Sequence, residues 1–185
     1  CSSDLNACVD QDTHPEILAE CGPDVDFGAS AILRALDDGS DVLLAGQKSG
    51  VLHALNPDDG SVRWQKRISP GGILGGIEWG IAADDKNVYV PISDVWEHMA
   101  DQGAAGGIVA VDFNTGRTRW EQPDATPNCQ GTDGCIAGKH QAAAVPRGLI
   151  VPGSKDADMR LYGSSGGKVV CNTIATRQLD SIHDG

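Results

Sequence analysis

An all-β chain folded as a partial β-propeller, with about three four-stranded antiparallel blades, is predicted by a turn motif and its spacing. Ala54-Leu55-Asn56-Pro57-Asp58-Asp59-Gly60-Ser61-Val62-Arg63-Trp64 is matched by Ala110-Val111-Asp112-Phe113-Asn114-Thr115-Gly116-Arg117-Thr118-Arg119-Trp120. A more divergent third copy runs from Leu161-Tyr162-Gly163 through Gly166-Gly167 to Cys171. Gly60, Gly116 and Gly167 are 56 and 51 residues apart, which suits one blade and not a helical or leucine-rich repeat. Between the copies lie short β-rich runs bounded by turn residues.

Each copy reads as a tight turn between two outer strands. Asn or Asp opens it, Gly takes the left-handed position, and Trp follows four residues on. A Trp at that recurring place can dock against the neighbouring blade. The first blade is expected to have strands near residues 31–36, 41–46, 51–55 and 62–66, with turns at Gly39, Gly50 and Gly60. The second is expected at 79–83, 88–92, 107–112 and 117–121, interrupted by a longer loop over 95–106. The third is expected at 141–145, 148–152, 159–162 and 168–171. Residues 1–23 read as a polar inter-blade excursion, 24–173 as the three blades, and 174–185 as the start of a further blade. Aromatic residues are 4% of the chain, so Val, Ile, Leu and Ala must fill the space between blades. Three blades make an open arc, and propellers close with four or more. The chain is therefore expected to be a fragment of a larger propeller.

The 185 residues carry a net charge of -12, which argues against nucleic acid and anionic membranes as partners. Acidic pairs such as Asp37-Asp38, Asp58-Asp59 and Asp84-Asp85 also fit ordinary turn chemistry. No apolar run is long enough to span a bilayer. Six cysteines lean toward an oxidising compartment, so a periplasmic or secreted location is expected. Cys8 with Cys21 and Cys129 with Cys135 have spacings that suit local disulfides. Cys171, in the place of the third Trp, is expected to be a buried free thiol. No C-x-x-C-H haem motif and no zinc-ligand spacing is present. His140, at the start of an inner strand, is placed to face the central channel.

The turn motif resembles the tryptophan-docking motif of quinoproteins, propeller enzymes that use pyrroloquinoline quinone. Four segments resemble the C-terminal half of the quinoprotein alcohol dehydrogenase propeller, in the same order. Gly22-Pro23-Asp24-Val25-Asp26-Phe27-Gly28 resembles a Trp-Asp-Tyr segment whose Asp binds a metal, calcium or another hard cation, and acts as general base. Asp26 fits best, and Asp24 keeps the choice of metal ligand open; an Asx turn leading into a strand is the alternative. Ala45-Gly46-Gln47-Lys48-Ser49-Gly50 resembles the segment whose basic residue contacts the cofactor. There a Lys neutralises quinone carboxylates and polarises an oxygen. Lys48 also reads as a solvated hairpin lysine.

Gly75-Gly76-Ile77-Glu78-Trp79-Gly80 resembles a Gly-Gly-x-Asn-Trp segment in which Asn and Trp contact the quinone. Glu78 stands where the family has Asn. That is the form found in polyvinyl-alcohol dehydrogenases and their relatives. A Glu there disfavours a carboxylate-rich cofactor unless a cation intervenes. Core packing for Trp79 and strand capping for Glu78 are the plainer alternatives. Residues 148–162 resemble an architectural strand pair, with Arg160 placed to meet a carboxylate. The resemblance implies alcohol oxidation by hydride transfer to pyrroloquinoline quinone, with Asp26 catalytic and Lys48, Glu78 and Trp79 cofactor-binding. It implies an alcohol substrate, polymeric in some relatives, and a cytochrome c-type electron acceptor. The same docking motif also occurs in non-catalytic propeller scaffolds and binding modules.

Overall fold

The computed structural model describes residues 25–72, 75–94, 106–124, 138–154 and 158–174. They form three antiparallel sheets. Strands β1 (Ile32–Ala35), β2 (Asp41–Gly46), β3 (Val51–Leu55) and β4 (Val62–Arg67) make the first blade as a meander in chain order. Strands β5 (Ala82–Ala83), β6 (Asn87–Ile92), β7 (Gly106–Asp112) and β8 (Thr118–Asp124) make the second. Strands β9 (Leu149–Ile150), β10 (Asp158–Gly163) and β11 (Val169–Ile174) make the third.

The third sheet corrects the expected four strands to three. Where the innermost strand was expected, a single bridge joins Ala144 to Val151. Gln141 lies over Gly153, with its Oε1 2.0 Å from where a Cβ would stand, and among the described residues no further pairing extends the bridge.

The docking turn is built alike in all three blades. Gly60, Gly116 and Gly167 have φ of 73°, 71° and 70°. Their N–H groups donate to the carbonyls of Asn56, Asp112 and Gly163 at 2.9, 2.8 and 2.9 Å. A one-residue register shift flanks each turn, between Ala54 and Leu55, Ala110 and Val111, and Leu161 and Tyr162. Such a bulge increases local twist and aims the following side chain. In the first two blades that side chain is Trp. Trp64 Nε1 donates to the Phe113 carbonyl at 3.1 Å, and Trp120 Nε1 to the Ser164 carbonyl at 2.9 Å. Each indole lies over the next blade's turn glycine. A Cβ at Gly116 would stand 3.0 Å from Trp64, and one at Gly167 2.4 Å from Trp120. These glycines therefore serve both the turn and the docking.

Cys171 occupies the same place on β11, but it is exposed, which corrects the expected buried thiol. No described blade lies beyond β11 to cover it. The pairs Cys8–Cys21 and Cys129–Cys135, and Cys1, lie outside the described residues.

Two apolar layers hold the blades together. Val42, Leu44, Leu52 and Ala54 of the first blade pack on Ile77, Ile81, Val88, Val90, Val111 and Phe113. On the opposite face of the second blade, Tyr89, Ile108 and Ala110 pack on Ile150 and Tyr162. Period-two alternation sends Val88 and Val90 one way and Tyr89 the other, so β6 is buried on both faces. Each such Val or Ile contributes about 1.5–3 kcal/mol through burial. Arg34 adds a polar tie between the first two blades by donating to the carbonyls of Ala83 and Asp84.

Candidate functional site

The segments entering β1 and β5 and the β2–β3 turn meet at one end of the first two blades. The Lys48 N–H donates to the Asp26 carbonyl at 3.0 Å, the Gly72 N–H to the Lys48 carbonyl at 3.0 Å, and the Ile77 N–H to the Gln47 carbonyl at 3.2 Å. Close approach requires missing side chains. A Cβ at Gly76, whose φ is 69°, would fall 2.2 Å from the Lys48 carbonyl oxygen. One at Gly28 would fall 3.0 Å from the Glu78 carbonyl oxygen. Gly76 is fixed from behind, its N–H donating to Asp94 Oδ1 at 2.7 Å and its carbonyl accepting from the Ser93 N–H at 3.0 Å.

This backbone brings three of the expected site side chains together. Lys48 Nζ lies 3.1 Å from Asp26 Oδ1 and 3.8 Å from Glu78 Oε1. The Lys48 and Glu78 side chains are each 11% exposed, whereas that of Asp26 is 64% exposed. Lys48 is thus not a solvated hairpin lysine. Its ammonium is held between two carboxylates, and Asp26 presents the open side of the cluster to solvent.

Trp79 is placed beside the cluster and not in the inter-blade core. It is 43% exposed, and its indole stacks on the His140 ring at 5.4 Å and an interplanar angle of 18°. His140 belongs to the segment entering the third blade, so the two rings bridge adjacent blades at the same end. Phe27 tilts against His53 at 5.3 Å. Asp24 lies outside the described residues.

A buried ionic group missed by sequence reasoning joins the second and third blades. Asp124, at the end of β8, is 2% exposed and lies 2.5 Å from Lys139 Nζ, itself 1% exposed. Asp124 also pairs with Arg160 and accepts from the Tyr162 hydroxyl at 3.2 Å. Burial and the Asp124 charge push the Tyr162 phenol well above its ordinary value. The placement of Arg160 toward a carboxylate was legible. Asp124 carried no signal, because a single Asp after Pro123 reads as a strand end.

Lys48 supplies a cation for an anionic ligand, and Trp79 exposes part of a flat ring beside it. The site residues do not by themselves fit a hard cation. Among the described residues no group of three or more His, Cys, Asp or Glu is placed to hold a metal ion.

Comparison with known proteins agrees with this architecture. Residues 19–73 match the family described as outer membrane protein assembly factor BamB. The chain is 38% identical over 176 residues to a polyvinylalcohol dehydrogenase from Pseudomonas sp, covering 89% of this chain and 27% of that protein. It is 39% identical over 152 residues to a polyvinylalcohol dehydrogenase from Sphingopyxis sp. (strain 113P3), covering 80% of this chain and 23% of that protein. The chain thus spans about a quarter of the length of the curated relatives it matches. Among solved structures, the quinohemoprotein alcohol dehydrogenase from Comamonas testosteroni superposes with a TM-score of 0.55 at 14% identity, over 80% of this chain and 28% of that one. That likeness speaks to the propeller fold. With the repeated docking turns, the two dehydrogenase relatives make the chain similar over most of its length to one stretch of the polyvinylalcohol dehydrogenases.

Proposed function

We propose that this chain supplies part of the active site of an alcohol dehydrogenase that uses pyrroloquinoline quinone and is similar to the polyvinyl-alcohol dehydrogenases. The supporting observation is the Asp26–Lys48–Glu78 cluster, in which three separate segments hold a buried ammonium between two acids. Bound quinone supplies the hydride acceptor. Asp26, exposed and tethered by Lys48, accepts the proton of the substrate hydroxyl. Lys48 offsets ligand carboxylate charge, Glu78 holds Lys48 in place, and Trp79 walls the ring. A periplasmic or secreted location with a cytochrome c-type electron acceptor is part of the proposal. No helix among the described residues is long and apolar enough to cross a membrane.

The test is Asp26→Asn in the complete polypeptide carrying these blades, loaded with quinone and cation. Dye-linked alcohol oxidation is expected to fall by about 10²–10⁴-fold, the usual contribution of a general base, with the circular dichroism spectrum unchanged. Full activity would remove Asp26 from the mechanism. A second reading, a non-catalytic scaffold, is favoured by the match of residues 19–73 to the BamB family. It predicts no quinone binding.

A further inference from the structure

The Gly75-Gly76 pair answers two separate steric demands. A Cβ at Gly76 would fall 2.2 Å from the Lys48 carbonyl oxygen and 2.7 Å from the Gly50 nitrogen, so this residue lets the β2–β3 turn lie against it. A Cβ at Gly75 would fall 2.9 Å from Asp94 Oδ1, so that residue admits the carboxylate. Asp94 follows β6 in the second blade; it is 5% exposed, and its neighbour Ser93 is fully buried. Between them they hold both polar groups of the Gly76 backbone. Asp94 Oδ1 accepts from its N–H, and its carbonyl accepts from the Ser93 N–H and, at 3.2 Å, from the Ser93 hydroxyl. A hydrogen bond to an ionised acceptor is roughly twice as strong as a neutral one. Glycine loses more conformational freedom on ordering than any other residue, so two in succession depend on such an anchor. Ile77 then bonds the Gln47 carbonyl, and Glu78 follows with Oε1 3.8 Å from Lys48 Nζ. The glycine that Asp94 grips therefore seats against the turn that carries Lys48, two residues before an acid that faces its ammonium.

We propose that Asp94 is a positioning residue for the Lys48 ammonium. By gripping Gly76 it clamps the Glu78 segment to the β2–β3 turn, and so keeps Lys48 drawn in between Asp26 and Glu78. Without that grip the paired glycines regain their freedom, and Lys48 opens to solvent while the blades stay folded. That the placement of Lys48 serves an anionic ligand rests on the proposed function; the placement itself does not.

The test is trace labelling of the folded chain with acetic anhydride, mapped lysine by lysine by mass spectrometry. Lys86 and Lys168 are exposed and serve as references, and Lys139, 1% exposed, reports on the fold as a whole. Asp94→Ala is expected to raise the labelling rate of Lys48, relative to Lys86 and Lys168, by roughly fivefold or more, through local opening alone. Lys139 is expected to stay protected in the same sample. Asp94→Asn keeps an acceptor for the Gly76 N–H and is expected to hold Lys48 within about twofold of the wild-type rate. An unchanged Lys48 rate in Asp94→Ala, or an Asp94→Asn chain as reactive as Asp94→Ala, would overturn the proposal. So would a rise at Lys139 in step with Lys48, which would mark Asp94 as a support of the whole fold. The labelling needs neither quinone nor turnover, so its failure is separate from failure of the Asp26 experiment.

Discussion

The buried ionic group between the second and third blades supports a quantitative prediction. Asp124→Asn keeps the shape of the side chain and removes its charge. Lys139, 1% exposed, and Arg160 then face a neutral amide. At the 2.5 Å separation of Asp124 and Lys139, the gross attraction at an effective dielectric near 20 is roughly 7 kcal/mol. Most of that offsets the desolvation of both ions, so the pair adds little to net stability. Breaking it differs from never having it, because a buried ammonium is left without its counter-charge. The expected loss is about 3–5 kcal/mol, read from urea unfolding of the chain. The paired replacement Asp124→Leu with Lys139→Met is expected to recover only the part of this loss that comes from Lys139, since Arg160 and Tyr162 still lose their bonds to Asp124. A loss below about 1 kcal/mol in Asp124→Asn, or a double replacement no better than the single, would refute the reasoning.

Other predictions follow from the same geometry. Trp64→Phe keeps an aromatic ring over Gly116 but loses the indole N–H bond to Phe113, and is expected to cost about 0.5–1.5 kcal/mol in the same unfolding assay. Gly167→Ala places a methyl group 2.4 Å from Trp120 at φ 70°, so its cost is expected to exceed the roughly 1 kcal/mol of left-handed strain alone. Asp84 is half-buried, which raises its carboxyl. Hydrogen bonds from Tyr89, Lys86 and Asn87 and the Arg34 charge outweigh this, and the group sits below the model carboxylate value of 3.8. Its folded-state value is thus depressed, so its contribution is present above pH 3.8 and is lost as pH falls further. Asp84→Asn is expected to flatten acid unfolding in that range. Burial and the bond to Asp84 push Tyr89 up to about 12, so wild-type stability falls as pH rises from 10 toward 12, and Tyr89→Phe is expected to reduce that slope, leaving the part due to Tyr162.

Local chemistry made the blades legible in the sequence. A turn that needs a left-handed glycine, an opening Asn or Asp and a following Trp can be recognised without knowing what the Trp touches. The repeat interval then fixed the blade as the unit. Strand bounds were met within a few residues for β2, β3 and β4, where turn glycines punctuate the chain. In the third blade β10 and β11 also fall near their expected places, and the innermost strand expected at 141–145 is reduced to the bridge at Ala144.

The candidate site divides in the same way. Asp26, Lys48 and Glu78 were singled out by resemblance, but their convergence depends on backbone contacts across separations no local pattern encodes. Trp79 shows the limit clearly. Its alternation left both the core and the open end available, and only the stacking on His140 from the next blade decided between them. Cys171 is exposed because burial is a property of neighbours, and the same strand position holds a docked Trp wherever another blade follows. Asp124 and Asp94 were silent in the sequence because one acid at a strand end carries no period. Their meaning came from the cations and amides that the fold brought to them.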